Sequence, residues 1–181
     1  DLFHIRSLGF RGEALASIGS VSRMTVVSRV RQSEIGARIQ IEGGKNGSVE
    51  RIGVPPGTVV RVEDLFYNVP ARLKFLKSDM TERSQINGLV TRYALAYPQV
   101  RFELSIDGKS MLHTNGNGDR REILAQLYGL DVARQMLEVS LEEDIQITGF
   151  ISPVALTRSN RREITFFNNG RWVQETALVS A

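Results

Sequence analysis

The spacing of apolar positions changes several times along this chain, and each change predicts an element. Met24, Val26 and Val27 lie in a run from Val21 to Val30 that reads as a strand. From Ala37 to Glu42 apolar and polar residues alternate with period two, the mark of a half-buried strand. Asn46-Gly47 predicts a hairpin turn, because both residues tolerate positive φ. Val54-Pro55-Pro56-Gly57 reads as a rigid turn, and Thr58 to Phe66 as a further strand. Ahead of all of these, Glu13 to Ile18 is compatible with a short helix.

A helical spacing then takes over. Ile86, Leu89, Val90, Tyr93 and Ala94 share one face, which predicts an amphipathic helix from Asp79 to about Tyr97. Asp79 with Glu82 makes a capping box at its start, and Pro98 ends it. Val100, Phe102, Leu104 and Ile106 alternate with polar neighbours, and Asp107-Gly108 turns that strand back into Ser110 to Thr114. Asn115-Gly116-Asn117-Gly118-Asp119 is small and polar and predicts a linker. A helix from Arg121 to Tyr128 follows, with strands near Leu137–Leu141, Ile145–Ile151 and Ile164–Phe167. Asn168-Asn169-Gly170 turns the last of these into Arg171-Trp172-Val173, and the chain ends at Ala181 in what reads as a new helix. At its other end it runs from Asp1 straight into patterned sequence, which predicts a start inside a domain.

Composition narrows the chemistry. The 181 residues are 41% hydrophobic and 24% charged, as in a globular protein, and no apolar run nears the roughly 18 residues of a membrane span. There is no cysteine, which excludes disulfides and thiolate metal sites. His4 and His113 have no His or carboxylate at ligand spacing, so no protein metal site is expected. The net charge of +3 is uneven: residues 1–118 hold 16 Lys and Arg against 11 Asp and Glu, and residues 119–181 hold 7 against 9. The first part would favour a polyanion such as nucleotide or DNA, or it is an ordinary solvated surface.

The string with the most chemistry is Gly9-Phe10-Arg11-Gly12-Glu13-Ala14-Leu15. Two glycines let the backbone approach an anion, and a helix beginning after the second offers unpaired N–H groups. Arg11 can add a charge-assisted bond to a phosphate. The chain has neither a GxxxxGK[ST] loop nor a GxGxxG element, and two glycines before a helix also suit a plain turn. Two basic clusters stand apart from this string: Arg72, Lys74 and Lys77 on the connector from Tyr67 to Ser78, and Arg158, Arg161 and Arg162, with Arg171 following the Asn-Gly turn. These can neutralise phosphates without reading sequence, or be solvated loops. Phe166, Phe167 and Trp172 are expected in the core rather than stacked on bases.

The whole seven-residue string resembles the signature of the MutL mismatch repair family, within the ATPase group of gyrase B, Hsp90 and histidine kinases. Pro56 to Val62, Asp64 to Leu76 and Phe167 to Arg171 resemble further family segments in the same order. The Asp64–Leu76 segment is similar to MutL and not to gyrase-like members of the group. The resemblance implies an α+β fold: part of a Bergerat-type α/β sandwich ATPase domain over residues 1–114, a linker at 115–119, and the start of a ribosomal S5 domain 2-like transducer domain over 120–181. It implies that Gly9, Phe10, Arg11, Gly12, Glu13, Ala14 and Leu15 form a lid on the triphosphate of ATP, with Thr58 near the phosphates or their water. The family's catalytic Glu, its Mg²⁺-binding Asn and its adenine-reading Asp-x-Gly-x-Gly would precede Asp1, and its γ-phosphate Lys would follow Ala181. No catalytic residue and no metal ligand is therefore expected here, and Glu13 is not the family's base. The implied partners are DNA, bound weakly through residues such as Arg158, Arg161, Arg162 and Arg171, a MutS-type mismatch recognition protein, downstream repair proteins, and a second copy in an ATP-bound homodimer. No membrane is implied; the setting is bacterial cytoplasm, at the nucleoid during repair. The resemblance also implies a sheet face left uncovered, and hence a tendency to associate. A non-catalytic DNA- or partner-binding module that retains the lid string is the alternative reading.

Overall fold

Where the chain alternates with period two, it pairs antiparallel. The computed structural model describes Gly9 and residues 12–156 and 164–173. They divide into two compact units, at Lys77 and Ser78.

In the first unit, helix α1 (Ala14–Gly19) leads into strand β1 (Arg23–Arg29), which pairs with β2 (Gly36–Glu42) on one side and β5 (Gly57–Glu63) on the other. The short strands β3 (Lys45–Asn46) and β4 (Glu50–Ile52) both pair with the outer edge of β2. The register sets Met24 opposite Ile41 and Val62, and Met24 is 2% exposed. Gly19 lies against the same spot: a β-carbon there would come 3.0 Å from both Ile41 Cγ2 and Met24 Cε. The absence of a side chain at Gly19 therefore lets α1 close onto the sheet. Val59, Val60 and Val62 of β5 are exposed, so this strand leaves apolar surface uncovered on both sides.

The hairpin turn between β2 and β3 differs from the sequence expectation. Gly43 and Gly44 make it, with φ of +55° and +84°, while Asn46 lies in β3 opposite Ile41. Two adjacent glycines reach the left-handed region without a β-carbon to clash, which outweighs the Asn-Gly signal three residues on. After β5 the chain forms a turn and the short helix α2 (Pro70–Leu73), which the apolar spacing does not reveal.

The second unit opens with α3 (Asp79–Ala96). Its N-cap is Ser78, whose Oγ accepts from the Thr81 N–H at 3.4 Å, so the cap sits one residue ahead of the expected Asp79. A hydroxyl in extended backbone satisfies a first-turn amide, and Asp79 and Glu82 instead place negative charge at the positive end of the helix. Of the expected apolar face, Ala94 is fully buried and Val90 packs against it, but Ile86 and Leu89 are exposed. The core joins Ala94 to Leu112 and Ile123, with Phe102, Leu104 and Leu127 around them. Leu104 and Leu112 come from the ribbon of β6 (Glu103–Ile106) and β7 (Lys109–His113). Ile123 and Leu127 come from α4 (Arg120–Tyr128). Thr114 is 1% exposed, and its hydroxyl accepts from the Phe102 N–H at 2.8 Å and donates to Val100 O at 3.3 Å, so that buried hydroxyl is paired.

The segment expected as a linker is tied down. Asn117 Oδ1 accepts from the Asp119 N–H, the Asn117 amide donates to Glu122, and Asp119 caps α4 through the N–H groups of Arg121 and Glu122. Beyond α4 come α5 (Leu130–Gln135), which the sequence pattern does not reveal, and two ribbons: β8 (Leu137–Glu142) with β9 (Gln146–Ile151), and β10 (Phe166–Asn168) with β11 (Arg171–Val173). The Arg121 guanidinium donates to Ala133 O at 2.6 Å and Met136 O at 2.9 Å and lies 4.8 Å from the centroid of the Phe150 ring. One cation thus ties α4, the end of α5 and β9 together. Trp172 is half-buried, with the Arg92 guanidinium 4.1 Å from its centroid.

Candidate nucleotide site

Helix α1 has an exposed N-terminal end and an anchored C-terminal end. Gly12 has φ of +69°, and a β-carbon there would meet no described residue within 4 Å. The glycine is thus required by backbone conformation and not by crowding from the described residues. Gly9 likewise has no described residue within 4 Å of its β-carbon position. Glu13 occupies the N-cap in helical conformation without a side-chain cap bond, and its carbonyl accepts from the Ser17 N–H at 2.9 Å. The amides of Ala14, Leu15 and Ala16 then have no acceptor within the helix. A positive-φ glycine directly followed by first-turn amides is a geometry into which phosphate oxygens fit. Phe10 and Arg11 lie outside the described residues.

Thr58 stands at the start of β5 opposite Ser28, and the two hydroxyls share a hydrogen bond of 2.8 Å. Ser28 is five positions from Arg23, so Thr58 is roughly 16 Å along the sheet from the end at which α1 meets β1. The geometry brings Gly9, Gly12, Glu13, Ala14 and Leu15 together in one stretch and sets Thr58 apart from that junction.

At its C-terminal end α1 meets a clamp that the sequence pattern does not disclose. Four consecutive carbonyls are each engaged from a distant loop. Gly19 O accepts from Gly44 N at 2.9 Å and Ser22 O from Gly43 N at 3.1 Å. Val21 O accepts from Phe66 N at 2.6 Å, and Ser20 O from the Asn68 side-chain amide at 3.0 Å. Asp64 and Phe66 reach this arrangement with φ of +52° and +66°. Positive φ is uncommon at Asp and an outlier at Phe. Arg23 braces the same corner. It pairs with Glu42 at 2.9 Å and with Asp64, and lies 4.6 Å from the centroid of the Tyr67 ring. The hydrogen bond to Glu42, then that to Asp64, pushes the Arg23 guanidinium above its ordinary value, so it stays charged.

Among the described residues no group of three or more His, Cys, Asp or Glu side chains is arranged to hold a metal ion. No helix among them is long and apolar enough to cross a membrane. A shallow groove of about 270 Å³, lined by Arg83, Asn87, Asp107 and Met111 among others, lies in the second unit and includes none of the glycine-string residues. Of the expected DNA contacts, Arg158, Arg161 and Arg162 lie outside the described residues, and Arg171 is half-buried in β11 opposite Asn168.

Known proteins with this pattern agree among themselves. The family described as DNA mismatch repair protein, C-terminal domain, matches residues 124–181. The DNA mismatch repair protein MutL of Streptococcus equi subsp. zooepidemicus is 44% identical over 182 residues, covering 100% of this chain and 28% of that protein. MutL of Streptococcus agalactiae serotype Ia is 45% identical over 179 residues, covering 98% and 27%. The chain thus spans little more than a quarter of the length of these curated relatives. Among solved structures, the Aquifex aeolicus MutL ATPase domain complexed with ADP superposes with a TM-score of 0.78 at 32% identity, covering 97% of this chain and 71% of that one.

Proposed function

This chain belongs to the MutL DNA mismatch repair family, and from that premise we propose that residues Gly9 to Leu15 are the lid segment of an ATP-driven switch. The mixed α and β fold is that of MutL ATPase domains of the gyrase, Hsp90, histidine kinase and MutL group. The observation that carries the reading is Gly12: positive φ, no described residue within 4 Å of the β-carbon position, and a helix whose first amides follow directly. The ADP complexed with the Aquifex domain belongs to that protein, and adds support for a nucleotide at the equivalent place here.

In this proposal ATP phosphates contact Gly9, Phe10, Arg11, Gly12, Glu13, Ala14 and Leu15, mainly through backbone N–H groups. Thr58 serves the phosphates or their water, and Mg²⁺ is held outside the described residues. Lid closure joins two copies of the whole protein, and hydrolysis releases them. The cycle carries a signal from a MutS-type mismatch recognition protein to downstream repair proteins on DNA, with Arg158, Arg161, Arg162 and Arg171 as weak DNA contacts. An order–disorder or loop-closing step driven by a γ-phosphate is a known physical basis for such a switch. The domain division at 115–119 belongs to the same proposal.

Two measurements test it. Gly12→Val in the whole protein is expected to weaken ADP binding by about tenfold or more. A β-branched residue cannot hold φ near +69°, and the first-turn amides leave the phosphates. Equilibrium dialysis with ADP reads this directly, and an unchanged Kd removes Gly12 from the site. The 181-residue chain alone is expected to give no Mg²⁺-dependent ATP hydrolysis above background, since phosphoryl transfer relies on positioned charge that its residues do not supply. A measurable rate from purified chain overturns that expectation.

A further inference from the structure

The clamp on the C-terminal end of α1 is built unevenly. Three of its four donors are backbone N–H groups, of Gly43, Gly44 and Phe66, and any residue able to take those conformations would supply them. The fourth, the Asn68 amide on Ser20 O, is a side chain, so the bond depends on residue type. We propose that Asn68 is a positioning residue for the nucleotide site, fixing the direction in which α1 presents its first-turn amides. This rests on the nucleotide reading given above.

Three observations support it. First, Asn68 is exposed, so its amide is not held in place by the general need to pair buried groups. If the amide is removed, water can satisfy Ser20 O, and the fold loses little. What is lost is a directed bond at the pivot of a helix only six residues long, whose far end lies roughly 9 Å away at 1.5 Å per residue. Second, the turn holding Asn68 is shaped for this contact. Asp64 and Phe66 take positive φ, and Arg23 brackets the turn through Asp64 and the Tyr67 ring. Third, the opposing loop leaves room for it: a β-carbon on Gly43 would lie 2.7 Å from Tyr67 Oη and 3.1 Å from Asn68 Nδ2. The glycine turn, the Asn68 amide and the helix end form one fitted junction within the first unit.

A purely structural role would weaken nucleotide binding only in step with stability, whereas a positioning role weakens it beyond that. The test uses the whole protein and ADP as the probe. Asn68→Ala is expected to raise the ADP Kd about five- to tenfold, the factor that one ordinary hydrogen bond supports, with a small change in thermal midpoint. Gly43→Ala displaces the same amide from the other side and is expected to raise Kd similarly. Val27→Ala is the control. It lies on β1 with its side chain on the face opposite Met24, and its truncation lowers stability without touching the junction. Its Kd is expected to stay within about twofold of wild type, a span well below one such hydrogen bond. If wild-type protein binds no ADP, the nucleotide reading fails and this inference falls with it. If wild type binds and Asn68→Ala binds equally well, the inference alone is overturned. It is likewise overturned if Val27→Ala weakens binding as much as Asn68→Ala.

Discussion

Gly170→Ala is expected to destabilise the second unit by about 3 kcal/mol, a large share of the stability of an ordinary domain. Two costs combine. Gly170 has φ of +76°, where a β-carbon costs about 1–2 kcal/mol. The added methyl would also overlap Tyr97 Oη and lie 2.8 Å from Tyr97 Cζ, well inside any real contact, and overpacking of this kind costs about 1–3 kcal/mol. Tyr97 has little freedom to yield. Its amide donates to Tyr93 O at 2.9 Å, its carbonyl accepts from Val100 N at 2.9 Å, and its ring stacks on that of Tyr93. The β10–β11 turn must therefore lift from the end of α3. Trp172 is the sole tryptophan of the chain and sits in β11, so its fluorescence in a urea titration reads this unit. Removing only the hydroxyl, in Tyr97→Phe, should restore little because the ring carbon still clashes. Tyr97→Ala should give a coupling with Gly170→Ala of more than about 1 kcal/mol. Additive losses in that double-mutant cycle would exclude the clash as the cause.

Elements with a long, regular pattern were legible in the sequence, and those set by distant partners were not. The alternation from Ala37 to Glu42 and the run around Met24 became adjacent strands, and the 3.6-residue spacing after Asp79 became α3. Asp107-Gly108 and Asn169-Gly170 each form the turn their residue types suggest, with positive φ at both positions. Asn46-Gly47 carries the same local signal but loses to Gly43-Gly44, because the pairing of Glu42 with Lys45 leaves just two residues for the turn. Helices α2 and α5 have four and six residues, too few for a periodicity to register. The clamp was illegible for another reason. Its donors, at positions 43, 44, 66 and 68, are more than 20 residues from the carbonyls at 19 to 22 that they engage. Residue types marked the segment from Asp64 to Leu76 as a strand end and a basic connector, and the positive φ at Asp64 and Phe66 that shapes it has no signature in residue type. The glycine string was readable as a phosphate cradle in principle, and of that string the structure adds the positive φ of Gly12.

The first unit offers a loss of comparable size from a single core residue. Met24→Ala is expected to cost about 2–4 kcal/mol, the usual range for truncating a buried methionine. The case for the upper part of that range is the thinness of this core. Among the described residues, the buried apolar side chains of the unit are Val21 and Met24, the latter 2% exposed, so few neighbours can collapse into the vacancy. Met24 also lies under α1, with Cε 3.0 Å from the position a Gly19 β-carbon would take. Its loss therefore removes the floor on which the helix rests as well as sheet packing. Hydrogen exchange is a suitable measurement, because this unit has no tryptophan. Amides of β1, β2 and β5 should exchange faster by a common factor, reporting the unit's opening free energy. Met24→Leu keeps most of the volume and should cost less than about 1.5 kcal/mol. Val59→Ala, at a side chain 64% exposed on β5, should cost less still. Equal losses at Met24 and Val59 would mean that the stability of this unit resides in its strand pairing, and not in the contact between Met24 and the helix above it.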